Sequence, residues 1–189
     1  MLEGPVVLSK SVKRALETIC EDAQKISLED GGTLYGVQTL PSPTNRKRDF
    51  YVDCIDITAI ERGYGSNLKK WGLFSPVAKK INPNFDVLGG YHTHPKDYGA
   101  VPKTNEDMKM LKSYQIGKKI EVIADMTSKP NLKAWKLDRF LNRLKEIEVT
   151  VDENKEGHGV IGIIDQYLNT NNKKSYPHPL KRILNSNPR

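Results

Sequence analysis

The run Asp86-Val87-Leu88-Gly89-Gly90-Tyr91 leads directly into His92-Thr93-His94-Pro95, and this junction constrains the fold more than any other stretch of the chain. The run reads as a buried strand. Residues i and i+2 of a strand point to the same face, so His92 and His94 project side by side. Pro95 cannot donate to a sheet ladder and ends the strand, leaving both histidines at its carboxyl end where the chain enters a loop. Two imidazoles on one face are half of a tetrahedral metal site. A third ligand is offered by the next element: Thr104 reads as an N-cap, and Asp107, three residues on, completes a capping-box-like start for a helix carrying Met108 and Leu111 inward.

Two neutral imidazoles and one carboxylate leave the fourth position of a tetrahedral Zn²⁺ open for water, as in catalytic rather than closed structural sites. Such a water needs a base. The stretch Glu29-Asp30-Gly31-Gly32-Thr33-Leu34-Tyr35-Gly36 sets an acidic pair before a glycine-rich strand expected to lie against the histidine strand. Glu29 is the candidate base, and Asp30 and Glu21 can each be argued in its place.

In these motifs the chain resembles the JAMM (MPN+) zinc metalloprotease family, particularly its stand-alone prokaryotic or archaeal members. That family's pattern is an upstream Glu before a Gly-x-Leu-x-Gly strand, then Gly-x-Tyr-His-Ser/Thr-His-Pro, a gap, and Ser-x-x-Asp. Glu29 precedes Gly32-Thr33-Leu34-Tyr35-Gly36, and Gly89-Gly90-Tyr91-His92-Thr93-His94-Pro95 matches the second piece residue by residue. The last piece departs: nine residues separate His94 from Thr104 where the family usually has seven, and Thr104 replaces the usual Ser. A loop grows by two residues at little entropic cost, and threonine keeps the hydroxyl. Asp97 and Glu106 are alternative third ligands, but Asp107 alone preserves the hydroxyl-x-x-Asp spacing.

The resemblance implies an α/β protein with a cytidine-deaminase-like MPN fold, a mixed central sheet flanked by helices. It implies a zinc-dependent peptidase or isopeptidase that hydrolyses the amide bond after the C-terminal glycine of a ubiquitin-like modifier, in deconjugation or precursor processing. His92, His94 and Asp107 are then the zinc ligands, Glu29 the general base, and Thr104 an oxyanion donor. The partner is a ubiquitin-like modifier or its conjugate. A second reading is a catalytically silent MPN-type protein-interaction scaffold, in which the longer loop has broken the third ligand.

At 189 residues the chain is expected to form a JAMM/MPN domain over residues 1–152 and a C-terminal extension over 153–189, a helix followed by a flexible basic tail. Cys20 and Cys54 fit no ligand cluster and read as small hydrophobes in a reducing compartment. With no signal peptide and no apolar run approaching the roughly 18 residues of a membrane span, the expectation is a cytoplasmic protein without a membrane partner. The net charge of +7 is scattered and accompanies no nucleic-acid motif, so nucleic acid is not an expected partner. His158 and His178 have no partners at ligand spacing and read as surface residues outside the site.

Periodicity predicts a strand over Pro5 to Leu8, an amphipathic helix over Ser11 to Lys25, and strands over Gly32 to Leu40 and Phe50 to Ile60 around an exposed loop, Pro41 to Arg48. Glu61 to Ser75 reads as an irregular insertion, which the resemblance makes a candidate binding segment for an extended modifier tail. A hairpin follows, Ile120 to Ala124 and Leu132 to Leu137, with its turn at Lys129-Pro130-Asn131. Beyond it the expectations are a helix over Arg139 to Lys145, a strand over Glu146 to Val151 and a closing helix over Val160 to Leu168.

Overall fold

The computed structural model describes residues 2–25, 30–40, 47–58, 72–94, 99–102, 120–126, 130–138, 143–163, 167–168 and 175–176. Glu29, Asp97, Thr104, Glu106, Asp107 and His178 lie outside these residues, as do residues 61–71 of the expected insertion and 59–60 of the strand expected before it.

The amphipathic stretch forms helix α1 (Lys10–Lys25). Val12, Ala15, Leu16, Ile19, Cys20 and Ala23, the residues on its expected apolar face, are all buried. Burial of each large side chain contributes about 1.5–3 kcal/mol, so packing rather than intrinsic propensity holds this helix. Its first turn contains no acidic residue. A loop from much later in the chain serves instead: the Lys10 and Ser11 N–H groups donate to the carbonyls of Lys155 and Glu156 at 3.0 and 2.9 Å. The Ser11 hydroxyl donates to the Glu156 carboxylate at 2.8 Å and, with Arg14 beside it, holds that carboxyl below its ordinary value.

One mixed sheet is formed by β1 (Leu2–Ser9), β2 (Gly31–Gln38), β3 (Lys47–Ile57), β4 (Asp86–Thr93), β5 (Ile120–Met126), β6 (Pro130–Asp138), β7 (Arg143–Ile147), β8 (Val149–Asp152) and β9 (Gly159–Ile163). Its order is β7-β6-β5-β4-β2-β3-β1-β8, and β9 pairs with the far half of β3. The hairpins β2/β3 and β5/β6 are antiparallel as expected, whereas β4/β5, β1/β3, β1/β8 and β3/β9 are parallel. A further pair, β10 (Tyr167–Leu168) and β11 (Ser175–Tyr176), stands apart from the main sheet.

The two ends of the strand path are neighbours in sequence, since only Glu148 separates Ile147 of β7 from Val149 of β8. In a flat sheet, strands seven steps apart would be about 34 Å from each other, far beyond the reach of one residue. The sheet therefore curls, and α1 sits in its concavity, touching β1, β3, β4, β5, β6, β8 and β9. Val6, Leu8, Leu34, Phe50, Ile55, Tyr91, Ile120 and Val122 join α1 in the main core. On the other face Tyr35, Cys54 and Phe85 pack with Ala78 of a short helix, α2 (Ser75–Ile81). That helix starts at the last residue of the stretch expected to be irregular; Pro76 lies in its first turn, where proline sacrifices no hydrogen bond.

Several later expectations are corrected. Arg143 to Lys145 are strand, not helix, and Glu146 to Val151 is not one strand: β7 pairs with β6, while β8 crosses to pair with β1. Pro130 and Asn131 open β6 rather than forming the turn. Val160 to Ile163 form β9 instead of a helix, so the sheet runs past residue 152. A short apolar run rich in β-branched residues fits either element, and here the vacancy beside β3 decides it. Gly162 allows that docking, because a Cβ there would lie 2.2 Å from the Phe74 ring. Among the described residues, no helix is long and apolar enough to cross a membrane.

Candidate metal site

β4 lies between β2 and β5, with His92 opposite Gly31 on one side and Ile123 on the other. Tyr91 belongs to the core around α1, so alternation turns His92 to the opposite face. His94 follows the end of the strand, where its N–H donates to the Ala124 carbonyl at 2.8 Å and continues the β4/β5 pairing by one residue. Both histidines are buried, their ring centroids 4.8 Å apart, and the two Nε2 atoms approach to 2.9 Å. The i, i+2 spacing has thus brought the two rings together as the sequence predicts.

The other nitrogen of each ring has a partner. His94 Nδ1 lies 2.8 Å from the carbonyl oxygen of Gly99. A carbonyl only accepts, so this assigns the His94 proton to Nδ1. Gly99 adopts a φ of 72°, in the left-handed region, and the chain after it is tied down where Trp135 Nε1 donates to the Ala100 carbonyl at 3.1 Å. His92 Nδ1 lies 2.7 Å from Oε1 of Glu121, a fully buried residue of β5, which places the His92 proton on Nδ1 as well.

With a proton on each Nδ1, the two Nε2 atoms converge on one point, where a shared proton or cation can satisfy both. Zinc binds imidazole nitrogen at about 2.0–2.1 Å, so nitrogen atoms this close can reach one ion. Position, burial and tautomer of this pair therefore fit zinc. Among the described residues no group of three or more His, Cys, Asp and Glu side chains is arranged to hold a metal. The expected third ligand Asp107, its alternatives Asp97 and Glu106, and the catalytic candidates Glu29 and Thr104 lie outside the described residues.

The chain next to Glu29 is nevertheless placed. The Thr93 N–H donates to the Asp30 carbonyl, and the Asp30 N–H donates to Thr93 Oγ1, both at 2.8 Å. The residue following Glu29 is thereby fastened to the residue between the two histidines.

A buried polar network on the same face fixes both ends of the segment 59–71. Asp56, wholly buried, accepts from the Thr33 N–H at 2.8 Å, from the Thr58 hydroxyl at 3.2 Å and from the Tyr35 hydroxyl. Tyr35 Oη and Thr33 Oγ1 in turn each accept, at 3.2 Å, from the N–H groups of Phe74 and Gly72. Burial raises the Asp56 carboxyl above its ordinary value against the pull of these donors. Burial, followed by the nearby Asp56 charge, raises the Tyr35 hydroxyl.

Sequence reasoning missed Glu121. The signal is an acidic residue on the same strand face as Ile123, but the register that puts β5 beside β4 is not readable locally. His158 is a surface residue as expected, and the structure adds its partner: its Nδ1 lies 2.5 Å from Oδ2 of buried Asp53, whose Oδ1 is 2.6 Å from Lys155 Nζ. Cys20 and Cys54 are buried as expected, their thiols pushed up to about 12, chiefly by burial.

No family model matches the sequence, and no curated protein matches it. Among solved structures, the chain is similar to the solution structure of protein DSY2949 from Desulfitobacterium hafniense, with a TM-score of 0.52 at 15% identity over 81% of this chain and 99% of that one. That likeness is one of fold. It agrees with the mixed α/β architecture and leaves the chemistry to the residues themselves.

Proposed function

We propose that the chain is a zinc-dependent peptidase or isopeptidase of the JAMM (MPN+) type, on a cytidine-deaminase-like MPN fold, which hydrolyses the amide bond after the C-terminal glycine of a ubiquitin-like modifier. The observation that carries this reading is the convergence of His92 Nε2 and His94 Nε2 at 2.9 Å while both Nδ1 atoms are engaged elsewhere. Two buried imidazoles whose Nε2 atoms converge can share one cation. The order of Glu29, His92-Thr93-His94-Pro95 and Thr104-Asn105-Glu106-Asp107 along the chain supports the family assignment. The free, buried cysteines support a reducing setting, the cytoplasm.

In this reading His92, His94 and Asp107 hold zinc. Zinc so held supplies Lewis acidity, lowering the pKa of a bound water toward about 7 and polarising the scissile carbonyl. The remaining work falls to the chain. Glu29 accepts a proton at its carboxylate and returns it to the leaving amine. Thr104 donates its hydroxyl hydrogen to the developing oxyanion. Asp30 and Thr93, through their paired hydrogen bonds, hold the strand entry after Glu29 against the histidine strand. Burial of both imidazoles keeps bulk water from competing for their Nε2 atoms.

A panel of ubiquitin-like proteins fused through a Gly-Gly junction to a reporter tests the activity. Wild type is expected to release the reporter, with loss of release on chelation and in Glu29→Gln. Wild type that holds no zinc and cleaves no member of the panel would overturn the peptidase reading in favour of the silent scaffold.

A further inference from the structure

We propose that Glu121 is the positioning residue of this site: its carboxylate fixes the His92 tautomer and makes that imidazole the stronger of the two ligands. The inference rests on the zinc reading above and extends it to a residue outside the sequence motif.

Strand register brings the two side chains together. Gly90 pairs with Glu121 and His92 with Ile123 across the parallel strands, so Glu121 and His92 occupy the same face of the sheet, one step apart diagonally. From there the Glu121 side chain reaches His92 Nδ1 at 2.7 Å. Glu121 is fully buried, on a strand whose neighbours Ile120, Val122 and Ile123 are also fully buried. Burying a carboxylate without compensation is expensive, and a sheet interior offers many apolar alternatives. The His92 contact compensates it in part, and a cation bound at the Nε2 atoms would add to this from across the ring.

The two histidines are held unequally. His94 Nδ1 faces a neutral main-chain carbonyl, Gly99, whereas His92 Nδ1 faces a carboxylate. Both acceptors select the same tautomer, but only the carboxylate pushes electron density through the ring toward Nε2. With a divalent cation held by the histidines, Glu121 would supply negative charge to it through the His92 ring and not as a ligand itself.

The test uses purified full-length protein, wild type beside Glu121→Gln and Glu121→Ala, with near-ultraviolet circular dichroism as the control for folding. In the metal-free proteins, long-range ¹⁵N–¹H correlation spectra of the imidazoles report which nitrogen carries the proton. Zinc affinity is read by competition with a chelator of known affinity. Wild type is expected to show the His92 proton on Nδ1. Glu121→Gln keeps side-chain volume and an acceptor, so it should retain that tautomer while zinc affinity falls about tenfold; Glu121→Ala should release the tautomer and lose about 10- to 100-fold. If Glu121→Ala does not fold, the near-isosteric Gln variant decides. Wild-type zinc affinity in the variants overturns the role of Glu121 and leaves the zinc reading standing. Absence of zinc binding by wild type overturns both.

Discussion

Two histidines of this chain make the same contact and are used differently. His92 and His158 each place Nδ1 against the carboxylate of a buried residue of the main sheet, Glu121 at 2.7 Å and Asp53 at 2.5 Å. Around His158 the ring is half-exposed, Lys155 joins the same carboxylate, and the His158 N–H donates to the Asp53 carbonyl at 3.0 Å. The neighbouring residues Lys155 and Glu156 cap the start of α1. That pair is a clasp, holding a loop to the sheet and the helix. Around His92 the ring is buried and its Nε2 meets a second imidazole nitrogen. A carboxylate on Nδ1 is therefore no sign of function by itself; what the opposite nitrogen faces makes the difference.

The largest effect should come from breaking the His92–His94 pair. His92→Ala or His94→Ala is expected to abolish zinc binding and reduce hydrolysis on the order of a thousandfold, since the lost electrostatic contribution is several kcal/mol. Steady-state cleavage of the best Gly-Gly fusion measures this, and retention of activity in either variant breaks the comparison. The clasp should behave oppositely. His158→Ala is expected to lower stability by about 1–2 kcal/mol, because it leaves buried Asp53 with one fewer hydrogen bond, while zinc content and cleavage rate stay at wild-type values. Denaturant unfolding beside an activity assay separates the two outcomes.

A third buried carboxylate, Asp56, sharpens the contrast because its partners are neutral hydroxyl and amide groups. Burial raises its folded-state value, so the native state keeps a proton that the unfolded chain loses near pH 4. With the unfolded state binding fewer protons, this group's contribution is fully present below that pH and is lost as pH rises through the folded value. Asp56→Asn should therefore flatten the fall in unfolding midpoint between wild type's acidic and neutral pH; an unchanged pH profile would count against the assignment. The smallest effect concerns the thiols. With Cys20 and Cys54 pushed up to about 12, neither should react appreciably with iodoacetamide in the folded protein at pH 8, and both should react once it is denatured.

Local pattern was enough for parts of this molecule. The 3.6-residue period of Val12 to Ala23 named the buried face of α1, and the alternation of Ile120, Val122 and Ala124 found β5. The histidine pair was legible because its geometry depends only on i, i+2 alternation. What escaped was set by contacts between distant segments. Glu121 is 29 residues from His92 and Asp53 is 105 from His158, and no periodicity encodes either meeting. The same holds for β9: Val160 to Ile163 became a strand because the far half of β3 had an open edge beside it. The break between β7 and β8 at Glu148 reflects closure of the curled sheet around α1, a property of the whole path.

The most direct test of the central claim is the zinc content of purified wild type, His92→Ala and His158→Ala, measured by elemental analysis under identical conditions. The account predicts one zinc per chain in wild type and in His158→Ala, and none in His92→Ala. Zinc absent from wild type, or bound equally by all three, would contradict it.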